Sequence, residues 1–563
     1  MPTIEMSFSD LERLVGTSLP RDRDELDHIL SFIKTEVEEL TGDYLRVEVK
    51  DGNRPDLWTV EGIARALRGV LGTETGIREF KLLDEPPIEV IVDPALKEIR
   101  PYIACAVVYG VEINENVLVG FIRLQDKLDL TYGRGRKRTS IGLYVADLIT
   151  PPIHYKLVEP DEVKFVPLGF DRELTLRQIL EEHPKGIEYG HIIKEHPKWP
   201  ILMDSRGKVL SMPPIINSAD LGRVTTETKN ILVEVTGTSW TAVSNILTIV
   251  ATSIAERGGV IRKAIIKHPY EPGEIETPQL QPSEIKIDKK YVKSVVGLDL
   301  EPSQIAELLE KARYRARAVG EEIVVQVPSY RVDIMHPVDV VEDVAIMYGY
   351  DRIEPVVPQI MTVGSISEEE RFANLVREVM IGFGFQEVLT FIMSNPETIR
   401  DKMRLPREGY IEVANPRTLR FTCLRDWITP SLIEFLSYNT HVEYPQKIFE
   451  VGFCVIPDKK SPTGAVDKRV LGFAIADDDV GFTDGKSIVD GFLRTLGLRY
   501  ELEEIDHPSF IAGRVGKIRV EGKDAGIIGE IHPEVLNNFG LGKPVVVCEI
   551  DLEALLEVSK SRI

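Results

Sequence analysis

Four carboxylates in one short stretch raise the first chemical question. Asp333, Asp339, Glu342 and Asp343 lie between Tyr330 and Tyr350. Pro337 suits the first turn of a helix and Gly349 its end, so Asp339, Glu342 and Asp343 fall at i, i+3 and i+4 and share one helical face. Asp333 stands just upstream, a few residues past the β-like run Ile323 to Val327. Four oxygen ligands so arranged could hold a hard cation such as Mg²⁺. The competing account is that the acids complement the dipole at a helix N-terminus. Spacing by itself favours that account, because structural acids outnumber metal sites.

A second chemical group is Glu234 with Thr236, inside the strand-like run Ile231 to Val235 and its continuation. Alternate residues of a strand face the same side. A carboxylate and a hydroxyl held there could recognise a phenol or order a water for attack on an ester; a solvent-facing pair on an edge strand is the plainer alternative. Ser211 has no His or Asp partner at a motif-like spacing and reads as a hydrogen-bonding residue, not a nucleophile. His183 and His191 flank a helix end and read as surface or capping residues. Gly485-Lys486-Ser487 lacks the upstream glycine of a phosphate loop, since Val480 stands there, and is expected in a turn.

Several elements must position these groups. A chain of 563 residues with 43% hydrophobic residues can fill several cores, roughly three to five domains' worth. Residues 1–85 open with a helix in which Ser9 precedes Leu11, Leu14 and Val15 and Gly16 closes it; an amphipathic stretch follows from Glu25 to Leu40. Residues 86–273 alternate strands and helices, with strands predicted at Ile88 to Val92, Ala104 to Tyr109 and Ile231 to Val235 and a core helix from Trp240 to Arg257. Pro and Gly crowd His268 to Gly273, which reads as a linker. Residues 274–355 make a compact domain around the acids, and 356–563 form the last block.

The four cysteines lie far apart with no Cys-x-x-Cys pair, which suggests neither a disulfide framework nor a zinc ribbon and fits a reducing, cytoplasmic setting best. No leader pattern and no run of about eighteen apolar residues is present, so no membrane contact is expected. A net charge of −22 counts against nucleic-acid binding, but only weakly, since local basic patches can act on an acidic protein. The densest such patch is Arg134-Gly135-Arg136-Lys137-Arg138, which reads first as a solvated β-turn.

The acidic string, an Arg-x-Asp element followed by Asp, two adjacent acids and Tyr348-Gly349-Tyr350, resembles the metal-binding domain of the phenylalanyl-tRNA synthetase β-subunit family, with Asp343 where that family has a second Glu. Asn53-Arg54-Pro55-Asp56-Leu57 followed by Glu61-Gly62-Ile63-Ala64-Arg65 resembles its N-terminal part. Asn415-Pro416, Leu424-Arg425, Pro430-Ser431-Leu432, Phe449-Glu450-Val451-Gly452 and Gly529 to Val535 resemble its catalytic-like module. The likeness thus covers nearly the whole chain. With no oligonucleotide-binding insert near the front and no further C-terminal anticodon-binding module, it is of the short archaeal type.

The resemblance implies a mixed α/β, α+β multidomain fold: a class II synthetase-like antiparallel core, an α/β editing domain and a small metal-binding domain. It implies an α₂β₂ heterotetramer with an α subunit, using ATP and Mg²⁺ to join phenylalanine to its tRNA. It also implies hydrolysis of mischarged Tyr-tRNA in the editing domain, with Leu202, Ser211, Glu234 and Thr236 lining the pocket and Asn217 a further candidate; relatives have Asp at position 234. A class II site needs a late arginine on a Gly-rich helix to hold ATP, whereas after Arg519 only Arg562 follows. The core is therefore expected to be catalytically silent, with Arg425 in a structural ion pair. Two other functions stay open: a tRNA-binding or regulatory protein that kept the fold without editing, and a self-sufficient class II ligase, which the missing arginines disfavour.

Overall fold

The computed structural model describes residues 2–560. Its fold is mixed α/β and multidomain, in two compact units, Met1–Val357 and Pro358–Ile563.

In the first unit, strand Thr3–Ser7 leads into helix Phe8–Val15. The cap is Ser7, whose side chain accepts from Asp10 N, not the expected Ser9; Gly16 closes the helix at φ 82°. The stretch expected to be amphipathic from Glu25 to Leu40 divides into helix Arg23–Ser31 and strand Thr35–Thr41. Lys34 adopts a left-handed φ of 55° at the break, and beyond it burial alternates with period two, Thr35 and Val37 inward and Glu36 outward, which suits a strand. Phe8, Leu11, Leu26 and Val47 of this region share one core with Ala104, Val233, Ile246 and Leu247 of the large sheet that follows.

That sheet has ten strands. Ile231–Gly237 is one strand in from an edge, paired antiparallel with Tyr102–Tyr109 on one side and with the edge strand Thr139–Val145 on the other. Ile88–Val92 runs parallel to Val260–Lys267 and to Ile153–Val158. Trp199–Met203, Val209–Met212 and Ile216–Asn217 extend the far edge as antiparallel turns of chain. Helix Trp240–Ala255 covers one face with Ile246, Leu247 and Val250. The segment His268 to Gly273 is a hairpin turn and not a linker, because the strand after it, Glu274–Thr277, returns to pair with Val260–Lys267.

A three-stranded sheet of Ser283–Asp288, Glu322–Val327 and Arg315–Val319 packs against helices Pro302–Lys311 and Pro337–Tyr348 through Ile287, Ile305, Leu309, Val325, Val340 and Val344.

The second unit is built on a seven-stranded sheet, antiparallel except for the short edge strand Gln386–Glu387. Helices Glu368–Gly382, Phe482–Thr495 and Leu552–Lys560 pack on one core, and Thr429–Tyr438 and Pro533–Phe539 on another. Gly485-Lys486-Ser487 lies inside helix Phe482–Thr495, not in a turn. Gly485 is there for packing: a Cβ would stand 2.3 Å from Val546 Cγ1 of the sheet beneath. Among the described residues no helix is long and apolar enough to cross a membrane.

Candidate functional site

Strand Ile231–Gly237 is buried along its whole length, so Glu234 and Thr236 are interior groups and not an exposed edge pair. Glu234 is 2% exposed. Burial pushes its carboxyl up to about 7, against the opposing pull of Tyr144, Arg100 and Thr236. Tyr144, 90 residues away in sequence but on the adjacent strand Thr139–Val145, donates its hydroxyl to Glu234 Oε2 at 2.8 Å. The same hydroxyl lies 3.3 Å from Asn217 Oδ1. Burial and the neighbouring Glu234 carboxylate hold the phenol well above its usual range, so it stays a donor. Glu234 Oε1, by contrast, is buried without a hydrogen-bond partner, and so is Ser211 Oγ.

Glu234, Ser211 and Asn217 line a cavity of about 270 Å³ whose walls include Ile141, Leu143, Met212 and Ile215. Apolar walls around a few convergent polar groups are the usual composition of a small-molecule site. Strand register explains the convergence: Ser211 stands opposite Asn217 and also opposite Leu202, and Glu234 stands opposite Gly142. Glycine is required at 142, because a Cβ there would lie 2.3 Å from the Tyr144 hydroxyl and 2.5 Å from Glu234 Oε2.

Leu202 and Thr236 do not line this cavity. Leu202 is fully buried in the core beside the cavity, among Tyr144, Tyr155 and Leu210. Thr236 Oγ1 accepts from Arg100 Nε at 3.0 Å and shares a hydrogen bond with Ser140 Oγ. Arg100, itself 1% exposed, also donates to Thr236 O, Ser140 Oγ and Arg136 O. Arg136 lines the cavity, pairs with the buried Asp129 at 3.0 Å and donates to Pro214 O and Ile215 O of the cavity wall. Burial drives Asp129 up to about 7 despite Arg136 and Arg100. Tyr144, Arg100 and Asp129 were not singled out as site residues from sequence, and Arg136, expected on a solvated turn, is instead buried against Asp129. The one available signal was Gly142 inside a strand, which marks a close approach.

The four acids of the smaller domain do not converge on one point. Asp333 and Asp343 both accept from Arg331 Nη2, at 2.8 and 2.7 Å, and Tyr314 donates to Asp343 as well. Asp339 caps its own helix, accepting from Met335 N and His336 N. Glu342 points outward to Lys34 at 2.8 Å.

A model of the phenylalanyl tRNA synthetase beta chain CLM domain matches residues 353–552, and one of the tRNA synthetase B5 domain matches residues 285–350. The chain is 45% identical over 561 residues to the phenylalanine–tRNA ligase beta subunit of Pyrococcus abyssi, covering 99% of this chain and 100% of that one. It is 41% identical over 564 residues to the beta subunit of Thermofilum pendens, across 100% of both chains. The chain belongs to the phenylalanine–tRNA ligase beta-subunit family. The crystal structure of an N-terminal fragment of the phenylalanyl-tRNA synthetase beta subunit from Pyrococcus horikoshii superposes with a TM-score of 0.59 at 43% identity, covering 62% of this chain and 100% of that fragment.

In the class II-like core that the chain shares with this family, Arg425 is the arginine that resembles a nucleotide-binding one. Arg425 is completely buried and fully engaged by Glu450 Oε1 at 2.7 Å, Thr390 Oγ1 at 2.6 Å and Phe453 O at 2.9 Å. It is a structural ion pair. The Mg²⁺ site that the beta-subunit resemblance implies does not fit the acids as they stand. Asp333 and Asp343 already share a guanidinium, Asp339 and Glu342 face elsewhere, and no group of three or more His, Cys, Asp or Glu side chains among the described residues is arranged to hold a metal.

Proposed function

We infer that this chain works with an α subunit, as an α₂β₂ heterotetramer, in the ATP- and Mg²⁺-dependent attachment of phenylalanine to its tRNA, and that its own chemistry is removal of tyrosine mistakenly attached to that tRNA. The division of labour follows the chain: 86–273 edit, 274–355 and 1–85 assemble and support, and 356–563 serve as a silent class II scaffold. A synthetic pocket shaped for phenylalanine cannot strongly reject an isostere that adds one hydroxyl, so a second, hydrolytic site supplies the missing discrimination.

The observation that carries this reading is the unpartnered Glu234 Oε1 in an apolar cavity. A buried acceptor with nothing to accept is costly when the cavity is empty or holds a phenylalanine ring, and is satisfied by a phenol. In this reading Ile141, Leu143 and Met212 hold the aromatic ring, Glu234 accepts a hydrogen bond from the phenol, and Ser211 and Asn217 flank the phenol at the same end of the cavity. Thr236 and Leu202 act from behind the wall, Thr236 by holding Arg100 beside the carboxylate.

Deacylation of Tyr-tRNA and Phe-tRNA by the holoenzyme is the test. Glu234→Gln and Glu234→Ala are expected to lower kcat/KM for Tyr-tRNA about 10- to 100-fold, the range of one lost buried hydrogen bond to a charged group, with Phe-tRNA formation unchanged. A parent holoenzyme that charges phenylalanine but leaves Tyr-tRNA intact would favour the non-editing alternative.

A further inference from the structure

The turn that follows helix Glu115–Leu130 carries the densest basic run of the chain, and its side chains divide by direction. Arg136 goes inward, where it is 8% exposed, paired with Asp129 and part of the cavity wall. Arg134 and Lys137 go outward and are exposed, and Arg138 is half-buried. In a chain with 90 acids against 68 Lys and Arg, a surface cation usually has a carboxylate neighbour. Arg134, Lys137 and Arg138 have no ion-pair partner among the described residues; the guanidinium of Arg138 lies instead over the ring of Tyr132 at 5.1 Å.

The backbone holds this display in place. Arg134, Gly135 and Arg136 are all left-handed, at φ 52°, 62° and 64°, a conformation that costs a non-glycine residue about 1–2 kcal/mol. The turn is nonetheless closed by Arg134 N to Thr131 O, Arg136 N to Asp129 O and Arg138 N to Gly133 O. Arg138 O further accepts from Thr238 N at 2.9 Å, tying the turn to the end of the strand that carries Glu234 and Thr236. At that same end, Thr139 stands opposite Gly237 and Gly237 opposite Tyr102. Tyr102 and Trp240, both half-buried, lie there with ring centroids 6.3 Å apart. His268 and Tyr270 pack edge-on against these rings. Cations without carboxylate partners near half-buried aromatic rings are the combination that binds single-stranded nucleic acid, phosphates on the cations and bases on the rings.

We propose that the outer side of this turn, through Arg134, Lys137 and Arg138, grips the phosphate backbone of the single-stranded 3′ end of the tRNA, presenting its terminal aminoacyl ester to the cavity on the turn's inner side. The proposal rests on the editing reading above. A role limited to complementing the C-terminal dipole of helix Glu115–Leu130 would alter stability and leave RNA dependence untouched.

The test uses the α–β holoenzyme, with Tyr-tRNA and the RNA-free ester 3′-O-tyrosyl-adenosine as parallel substrates. Arg134→Glu combined with Lys137→Glu is expected to raise KM for Tyr-tRNA at least about 10-fold with kcat nearly unchanged. The slope of log(kcat/KM) against log[salt] should become shallower by about 1.4, since each phosphate contact on a single strand contributes about 0.7. Hydrolysis of tyrosyl-adenosine should not change, and Arg134→Lys with Lys137→Arg should behave as the parent. An unchanged KM and salt slope in a parent that does edit Tyr-tRNA overturns the RNA grip while leaving editing intact. Equal losses on both substrates, or losses accompanied by a lower Tm, also overturn it. If the parent hydrolyses neither substrate, it is the editing reading that has failed, and the grip with it.

Discussion

Tyr144 and Glu234 form a one-sided pair: the phenol satisfies Oε2 at 2.8 Å and leaves Oε1 of the same buried carboxylate without a partner. The strand register that makes this possible needs Gly142 between them. A fully satisfied carboxylate would be a structural element; a half-satisfied one facing a cavity is available to a substrate.

Tyr144→Phe should therefore do more than remove one hydrogen bond. The Tyr144 hydroxyl lowers the Glu234 pKa, so its loss should move the acidic limb of the Tyr-tRNA deacylation profile to higher pH. It should also destabilise the fold by about 1–3 kcal/mol, the cost of an orphaned buried polar group. A pH–rate series together with urea unfolding checks both, and an unmoved limb would separate Tyr144 from the site.

Glu234→Gln should change how stability depends on pH. The carboxyl titrates near 7 in the folded chain against 4.5 in the unfolded one, so the folded state holds its proton more tightly. The stabilisation from that proton is full below about pH 4.5 and is lost as pH rises through about 7. Glutamine stays neutral throughout, so the variant should gain Tm on the parent by a few degrees at about pH 8 and by little at about pH 5. Calorimetric scans across that window would show it, and parallel Tm curves would contradict it.

The acid–arginine arrangement of the smaller domain predicts insensitivity to metal. Chelation by EDTA should leave the Tm of the chain unaltered, and Asp339→Asn with Glu342→Gln should leave titration heats with Mg²⁺ as small as the parent's. Arg331→Met should cost about 3–5 kcal/mol, because it strands the buried Asp343 and Asp333 carboxylates. Strong saturable Mg²⁺ binding lost in the Asp339/Glu342 variant would restore the metal site.

The purified chain alone should not catalyse phenylalanine-dependent exchange of pyrophosphate into ATP. Its class II-like core spends Arg425 on Glu450 and Thr390, and exchange should appear on adding the α subunit. Robust exchange by this polypeptide alone would require a nucleotide site elsewhere in it.

Much of this protein was written in local pattern. Strand runs such as Ile88–Val92 and Ile231–Gly237, the core helix from Trp240, and Pro337 with Gly349 bounding a helix all follow from periodicity and from the backbone limits of Pro and Gly, which act within a few residues. The alternation of Glu234 and Thr236 was legible for the same reason. Sequence could not say that their strand is buried inside the sheet, that Thr236 is absorbed by Arg100 from 136 residues away, or that Tyr144 reaches Glu234, because pairing between distant segments has no local signature. The acids make the same point in reverse. The i, i+3, i+4 spacing put Asp339, Glu342 and Asp343 on one helix face, yet the neighbours packed around that face, Arg331 and Tyr314 inside and Lys34 outside, drew Asp343 and Glu342 in different directions. Spacing along the chain sets which groups can meet; burial and the charges brought up by tertiary packing decide which of them do, since a carboxylate removed from water must be paired by whatever lies closest.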